Sequence, residues 1–193
     1  MAKNPKIMVH TCCAACASYV FSQLEKAGFE AIALYYNPEV DNEDEYKKRL
    51  SDLETYCKEE KIKLIVPEYR SLDYSEIIEP YKNKDSIKYI NDKDRYYRRR
   101  CRLCNSLIIQ KTIEQAKKAH LKYFSTTLLC SPYKDHEDLI SIGNEMSLDY
   151  HVSFYYQDFR KGYWMGRNFG RNRQIHTPSY CGCQESEKER RLE

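Results

Sequence analysis

The sequence predicts an α/β domain, a mainly parallel sheet with helices on both faces. Three observations carry this expectation. Strand-like apolar runs alternate with segments of helical spacing along most of the chain. The helical segments are long enough to cross over between parallel strands. A chain of 193 residues supplies one well-buried core with no obvious linker to a second, so a single domain over 1–193 is expected.

Lys6 to His10, "KIMVH", opens the alternation as a short buried strand. "ASYVFSQLEKAG" follows, with Val20, Phe21, Leu24 and Ala27 at helical spacing and Gly28 placed to cap the C-terminus. "AIALYYNP" is strand-like and stops at a proline. The next segment, "EDEYKKRLSDLETYCKEEK", puts Tyr46, Leu50, Leu53 and Cys57 on one helical face. "KLIVPEY" reads as a strand, "CNSLIIQKTIEQAKKAH" as a helix, "KYFSTTL" as a strand, "DHEDLISIGNEMSLDY" as a helix and "HVSFYYQDF" as a strand. Residues 82–106 fit this rhythm poorly and read as an insertion carrying a cysteine pair, while 184–193 is a charged, peripheral tail. In parallel sheets, ligands gather beyond the C-terminal ends of the strands. That rule places Cys12, Cys13 and the stretch from Thr126 to Lys134 at one rim.

No apolar run approaches the roughly 18 residues of a membrane span, and "MAKNPKIMVH" lacks the apolar stretch of a signal peptide. A cytoplasmic protein without membrane contact is therefore expected. Nine cysteines (12, 13, 16, 57, 101, 104, 130, 181 and 183) favour metal or redox chemistry over disulfide scaffolding in a compartment where thiols stay reduced. Cys12 and Cys13 follow a strand and open a helix, where free N–H groups and the positive helix end favour thiolates. Cys13 and Cys16 form C-A-A-C, a thioredoxin-like cue that explains only two of the cysteines. Cys101 and Cys104 form a second C-x-x-C at the expected start of a helix. Together the pairs offer four thiolates, suited to tetrahedral zinc or to an iron–sulfur cluster. Cys57 reads as a small hydrophobe, as does Cys130, and His10 as a buried, hydrogen-bonded histidine.

The net charge is only +3, but the basic residues cluster. Arg95, Tyr96, Tyr97, Arg98, Arg99 and Arg100, with Arg102, interleave guanidinium groups and aromatic rings in the manner of single-stranded RNA contacts; Arg167, Arg171 and Arg173 form a second basic segment.

With "HTCCAACASYVFSQL", "YYNPEVDNEDEYKKR", "RCRLC", "STTLLCSPYKD", "DFRKGYW" and "YCGC" in this order, the chain resembles the cobalamin-independent epoxyqueuosine reductases, the QueH family, from about Lys6 to Cys183. The resemblance implies an adenine-nucleotide hydrolase-like (HUP-type) α/β fold with cysteines where an ATP-using relative has a glycine-rich phosphate loop. It implies a 4Fe-4S cluster on Cys12, Cys13, Cys101 and Cys104. It also implies reduction of epoxyqueuosine in a tRNA anticodon loop to queuosine, with the epoxide oxygen leaving as water. Cys181 and Cys183 then take a redox role, as a reversible disulfide or as ligands. Cys16, Cys181, Cys183 and Asp158 are candidates around a second, mononuclear iron. Tyr180 and Asp158 are proton-donor candidates, Arg95 to Arg100 and Lys134 contact the RNA, and an electron donor is required as a partner.

The chain departs from the family pattern at His176, Thr177 and Pro178, which replace Tyr-Arg-Gln, and at Asn105 and Ile108, which replace an aromatic and an arginine. These departures fall on the substrate side. They motivate an alternative, a related iron–sulfur reductase acting on another small molecule; a zinc-stabilised RNA-binding module without catalysis is the second.

Overall fold

The computed structural model describes residues 4–68 and 93–190, the side chains of 93–98 and 188–190 excepted. Strands β1 (Lys6–His10), β2 (Glu30–Leu34), β3 (Lys63–Ile65), β4 (Tyr123–Thr126) and β5 (Ser153–Phe154) form one sheet in the order β3-β2-β1-β4-β5. Every pairing is parallel. The α/β class with a parallel sheet is therefore as the sequence predicts. The strands are shorter than the apolar runs, because "YYNP", "VPE" and "YYQDF" leave the ladder once their partners end.

Among the described residues, six helices accompany the sheet: α1 (Ala14–Lys26), α2 (Glu43–Glu59), α3 (Lys93–Lys118), α4 (His136–Tyr150), α5 (Tyr163–Asn172) and α6 (Gln184–Arg190). Helices α1, α2 and α5 pack as one layer, and α3 with α4 as the other, as right-handed crossovers around a central β1 require. In α1, the buried residues Ala14, Ala17, Val20, Phe21 and Leu24 keep helical spacing and meet the fully buried Ile7, Met8 and Val9 of β1. Gly28, at φ +86°, ends α1: its N–H reaches the Glu25 carbonyl and the Phe29 N–H reaches Leu24, which closes the orphan carbonyls in a Schellman turn. Asn42 caps α2 through its side-chain oxygen, which accepts from Asp44 and Glu45 N–H at 2.9 and 3.1 Å.

Three features differ from the sequence expectation. Residues 82–92 of the expected insertion lie outside the described residues, but from Lys93 the chain is already helical, so Cys101 and Cys104 sit inside α3 rather than at its start. They lie one turn apart on one face and gain nothing from a helix N-terminus. Helix α5 was not foreseen. The tail is helical from Gln184, because its acidic residues Glu185 and Glu187 occupy the first turn.

Helix α5 approaches α1 through Gly166, where a Cβ would run into the backbone carbonyl oxygen of Ala15. Alanine there gains about 1 kcal/mol of helix propensity, but backbone cannot yield as a side chain would, and overpacking costs roughly 1–3 kcal/mol. Gly166→Ala is accordingly expected to lower stability by up to about 2 kcal/mol, read as a lower denaturant midpoint with unchanged slope.

Candidate metal centre and active site

The strand order reverses at β1, with β2 on one side and β4 on the other, and the reversal opens a crevice beyond the C-terminal ends of β1 and β4. Their last residues, His10 and Thr126, are register partners. The His10 ring is fully buried, with Nδ1 2.9 Å from Thr126 Oγ1 and Nε2 3.1 Å from Asn37 Oδ1. Asn37 Nδ2 donates to the Thr11 carbonyl at 3.1 Å. Burial lowers the His10 pKa to about 4 despite the opposing charge of Cys12, so the ring is neutral and structural, as expected.

From this base the chain delivers Cys12, Cys13 and Cys16. The Cys12 N–H donates to Thr127 Oγ1 at 3.0 Å, tying the loop after β1 to the 3-10 turn Thr127–Cys130 that follows β4. Cys13 is the N-cap of α1 and Cys16 lies in its first turn. Their sulfurs and that of Cys12 all lie within 4.8 Å of one another, the one such group of three or more potential ligands among the described residues. Cys12 and Cys13 Sγ are 3.9 Å apart. Hydrogen bonds from Cys13 and Cys16, and from Thr127 Oγ1 at 3.3 Å, hold the Cys12 thiol well below its usual range while Cys13 and Cys16 are pushed up. Three soft donors converging at a strand-to-helix rim fit a metal or iron–sulfur site. Cys130, whose place after a strand set it near the rim, is buried beside Cys16.

The thiols face a cavity of about 550 Å³, lined also by Glu39, Arg49, Lys134, Tyr180 and Cys181. Cys181 and Cys183 are free thiols with sulfurs 3.6 Å apart. Cys181 Sγ is 3.0 Å from Ser186 Oγ, and the Ser186 N–H donates to Cys183 Sγ at 3.4 Å. The hydrogen bond from Cys183, helped by the Lys134 charge and by Ser186, brings Cys181 well below the usual thiol range, and the same bond pushes Cys183 up. Cys181 is thus the thiolate of the pair. Lys134 stays charged: although burial opposes it, Cys181, Cys104, Cys101 and Glu39 raise its pKa. Its Nζ reaches Asn105 Oδ1 at 3.4 Å.

Glu39 is a residue that sequence reasoning missed. It is 3% exposed, and its Oε2 has no hydrogen-bond partner. Burial, followed by the Cys181 charge, raises its pKa to about 8, so it holds a proton at neutral pH against the pull of Lys134 and Arg49. Its place beside Asn37-Pro38, in a segment of the family resemblance, was the available signal.

The other expected site residues fall as follows. Tyr180 lines the cavity, whereas Asp158 does not: its carboxylate is 41% exposed and occupied by Arg160 at 2.6 Å. Cys101 and Cys104 do not line the cavity, though both lie near enough to Lys134 to act on it, and burial pushes the Cys104 thiol well up. Cys57 is core, its pKa pushed up to about 12 by burial. Arg100 is 1% exposed and therefore unavailable to phosphate, Arg99 is exposed, and the side chains of Arg95, Tyr96, Tyr97 and Arg98 lie outside the described residues. Of the positions that depart from the family pattern, Ile108 is fully buried core and His176 joins the clamp around the loop.

That clamp is built by α2. Arg49, 2% exposed, donates to Glu45 Oε1 at 2.7 Å, to the Cys181 carbonyl at 3.0 Å and to the Tyr180 carbonyl at 3.1 Å. Glu45 also holds His176 Nε2 at 2.9 Å, and Asp52 accepts from the His176 N–H at 2.7 Å. Gly182, at φ +127°, presses against Val40, a close approach that a Cβ would block.

An α/β sheet whose switch-point rim gathers thiols, a cation and a protonated acid defines a metal- or redox-dependent enzyme. The family model described as "Epoxyqueuosine reductase QueH" matches residues 7–189. The chain belongs to that family. A relative named epoxyqueuosine reductase QueH from Dehalococcoides mccartyi is 29% identical over 96% of this chain and 94% of its own length. One of the same name from Thermotoga maritima is 29% identical over 96% and 92% respectively. Among solved structures, a predicted subunit of tRNA methyltransferase from Methanocaldococcus jannaschii superposes with a TM-score of 0.48 at 13% identity, over 86% of this chain and 74% of that one.

Arg49→Met is expected to cost about 2–4 kcal/mol, since it strands two buried carbonyls and half of a buried ion pair. Thermal denaturation measures the loss, and faster limited proteolysis between residues 176 and 183 localises it.

Proposed function

We propose that this chain reduces epoxyqueuosine to queuosine in the anticodon loop of tRNA, within a reducing, cytoplasmic setting. The observation that carries the reading is the meeting, at one cavity, of the Cys12, Cys13 and Cys16 thiols with the Cys181 thiolate and the protonated Glu39. Family membership supports the substrate.

In this reading Cys12 and Cys13, with Cys101 and Cys104, carry a 4Fe-4S cluster, and Cys16, Cys181 and Cys183 are available to a second iron. The closeness of Cys16 to Cys12 and Cys13 favours it as a competing ligand of the first centre. When bound, such a group supplies one-electron transfer and a Lewis acid for the epoxide oxygen. The chain's own residues supply the rest. Breaking both C–O bonds of the epoxide and forming the C=C bond consumes two electrons, and the oxygen leaves as water with two protons. Oxidation of the Cys181 thiolate and the Cys183 thiol to a disulfide releases two electrons and one proton; Glu39 supplies the second proton from its carboxyl to the leaving oxygen, which balances the step, and an external electron donor restores the thiols. Tyr180, which lines the cavity, is placed to relay the Cys183 proton. Lys134 keeps Cys181 ionised. Asp158 has no part, because Arg160 occupies its carboxylate.

The deciding experiment incubates anaerobically reconstituted protein and a reductant with epoxyqueuosine-containing tRNA, and follows queuosine in nuclease digests by mass spectrometry. Conversion is expected with wild type and lost on Cys181→Ser; no conversion by iron-loaded wild type overturns the reading. Glu39→Gln is expected to slow turnover by roughly 10²- to 10⁴-fold, the usual worth of a positioned acid, with iron content unchanged. Anaerobic analysis is expected to give about four iron and four sulfide per chain. Loss of cluster absorption in Cys16→Ala but not in Cys101→Ala would exchange those two residues as ligands, and zinc without sulfide would remove the reductase altogether.

A further inference from the structure

Helix α5 carries a surface that the thiol chemistry does not use. Gly166 faces Ala15 of α1 and Gly170 meets Thr177, so the buried side of the helix is made of glycines. The helix therefore lies close to the first turn of α1, where Cys16 sits, and its Tyr163, Trp164, Arg167 and Arg171 line the cavity, while Met165 and Phe169 lie on another side. Trp164 is 61% exposed, and Tyr133, from the turn after β4, is 68% exposed. Tyr163 lies between them, its ring 5.8 Å from Tyr133 and 5.2 Å from Trp164, edge to face in both cases. Arg167 stacks 5.7 Å over Tyr163 and is held by the Pro178 carbonyl at 3.0 Å. All four side chains line the same cavity as Cys12 and Cys181, together with Arg171.

Resting on the reading above, we propose that Tyr133, Tyr163 and Trp164 form a stacking platform for the unpaired nucleotides that flank the modified base, with Arg167 and Arg171 contacting their phosphates. Three points select single-stranded RNA as the occupant. Exposed aromatic faces beside arginines match bases and phosphates in alternation. Charge is complementary: among the described residues, Lys134, Arg167 and Arg171 line the cavity with Glu39 as the one carboxyl, Arg49 being paired with Glu45. The platform is continuous with the cavity, so a loop that stacks on it presents the neighbouring nucleotide to Cys181.

Trp164 is the chain's single tryptophan, which gives the platform its own optical signal. The test titrates anaerobically reconstituted protein with a 17-nucleotide anticodon stem-loop RNA and reads both tryptophan fluorescence and affinity. Quenching that saturates with binding is expected, along with affinity that falls steeply with salt. Trp164→Ala is expected to weaken binding by roughly 5- to 100-fold, the worth of one stacked base. Trp164→Tyr should restore most of it, and Met165→Ala, the exposed neighbour outside the cavity, should change nothing. Arg171→Gln is expected to lower the salt slope by about one. If wild type binds and converts the tRNA but fluorescence does not move and Trp164→Ala binds as wild type, the platform is overturned and the function stands. If wild type neither binds the RNA nor converts the tRNA, the function falls and the platform with it. Quenching only by an added electron-transfer protein, with RNA silent, overturns the proposal in favour of a protein-docking face.

Discussion

The whole arrangement depends on the bond between two loops that leave the sheet on either side of its central crevice. The Cys12 N–H donates to Thr127 Oγ1, and directly beneath it His10 bridges Thr126 and Asn37. A parallel sheet that reverses its order must separate its loops there, and the separated backbone needs polar partners in a dry interior. Neutral histidine, asparagine and threonine provide them without burying a charge. With the base fixed in this way, three thiols can converge above it without a disulfide or a long loop to hold them.

The second half of the site is imported from the far end of the chain. Residues 176–183 are positioned by hydrogen bonds from α2: Arg49 on two successive carbonyls, Glu45 on His176 and Asp52 on its N–H. Backbone carbonyls are indifferent to the side chains that carry them. The bonds from Arg49 and Asp52 fall on backbone atoms and hold Tyr180 and Cys181 at the cavity although His176, Thr177 and Pro178 differ from the family pattern; only the Glu45 bond depends on the His176 ring.

Local patterns made much of this legible. Helical spacing in "ASYVFSQLEKAG" and the glycine after it gave α1 and its Schellman turn, and the alternation of elements gave the parallel sheet and the rim to which Cys12 and Thr127 belong. Pairings set by tertiary structure were hidden. Cys16 reads as the second half of a C-x-x-C, and only the fold reveals Cys12 and Cys130 beside it. The start of α3 was misplaced because "KDRYYRRR" has no apolar stripe, so periodicity is silent where the helix begins. Glu39 went unnoticed, since nothing local announces that Val40 and Gly182 will close over that segment. Helix α5 escaped because its buried face is glycine, which carries no hydrophobic period.

Each thiol group in the site is uneven, and the unevenness has one cause. Where sulfurs share a hydrogen bond in a dry cavity, ionising one makes the next harder to ionise, so Cys12 is favoured over Cys13 and Cys16, and Cys181 over Cys183. Lys134 balances the resulting charge, and Glu39 stays neutral because burial, and then the Cys181 charge beside it, disfavour its carboxylate. The cavity thus stores protons on Cys183 and Glu39 next to an electron-rich sulfur. A reduction that must end in water needs protons and electrons at the same place, and a fully ionised set of thiolates would offer the electrons alone. The burial and repulsion that raise the Glu39 pKa thereby keep available the proton that the proposed reduction hands to the leaving oxygen.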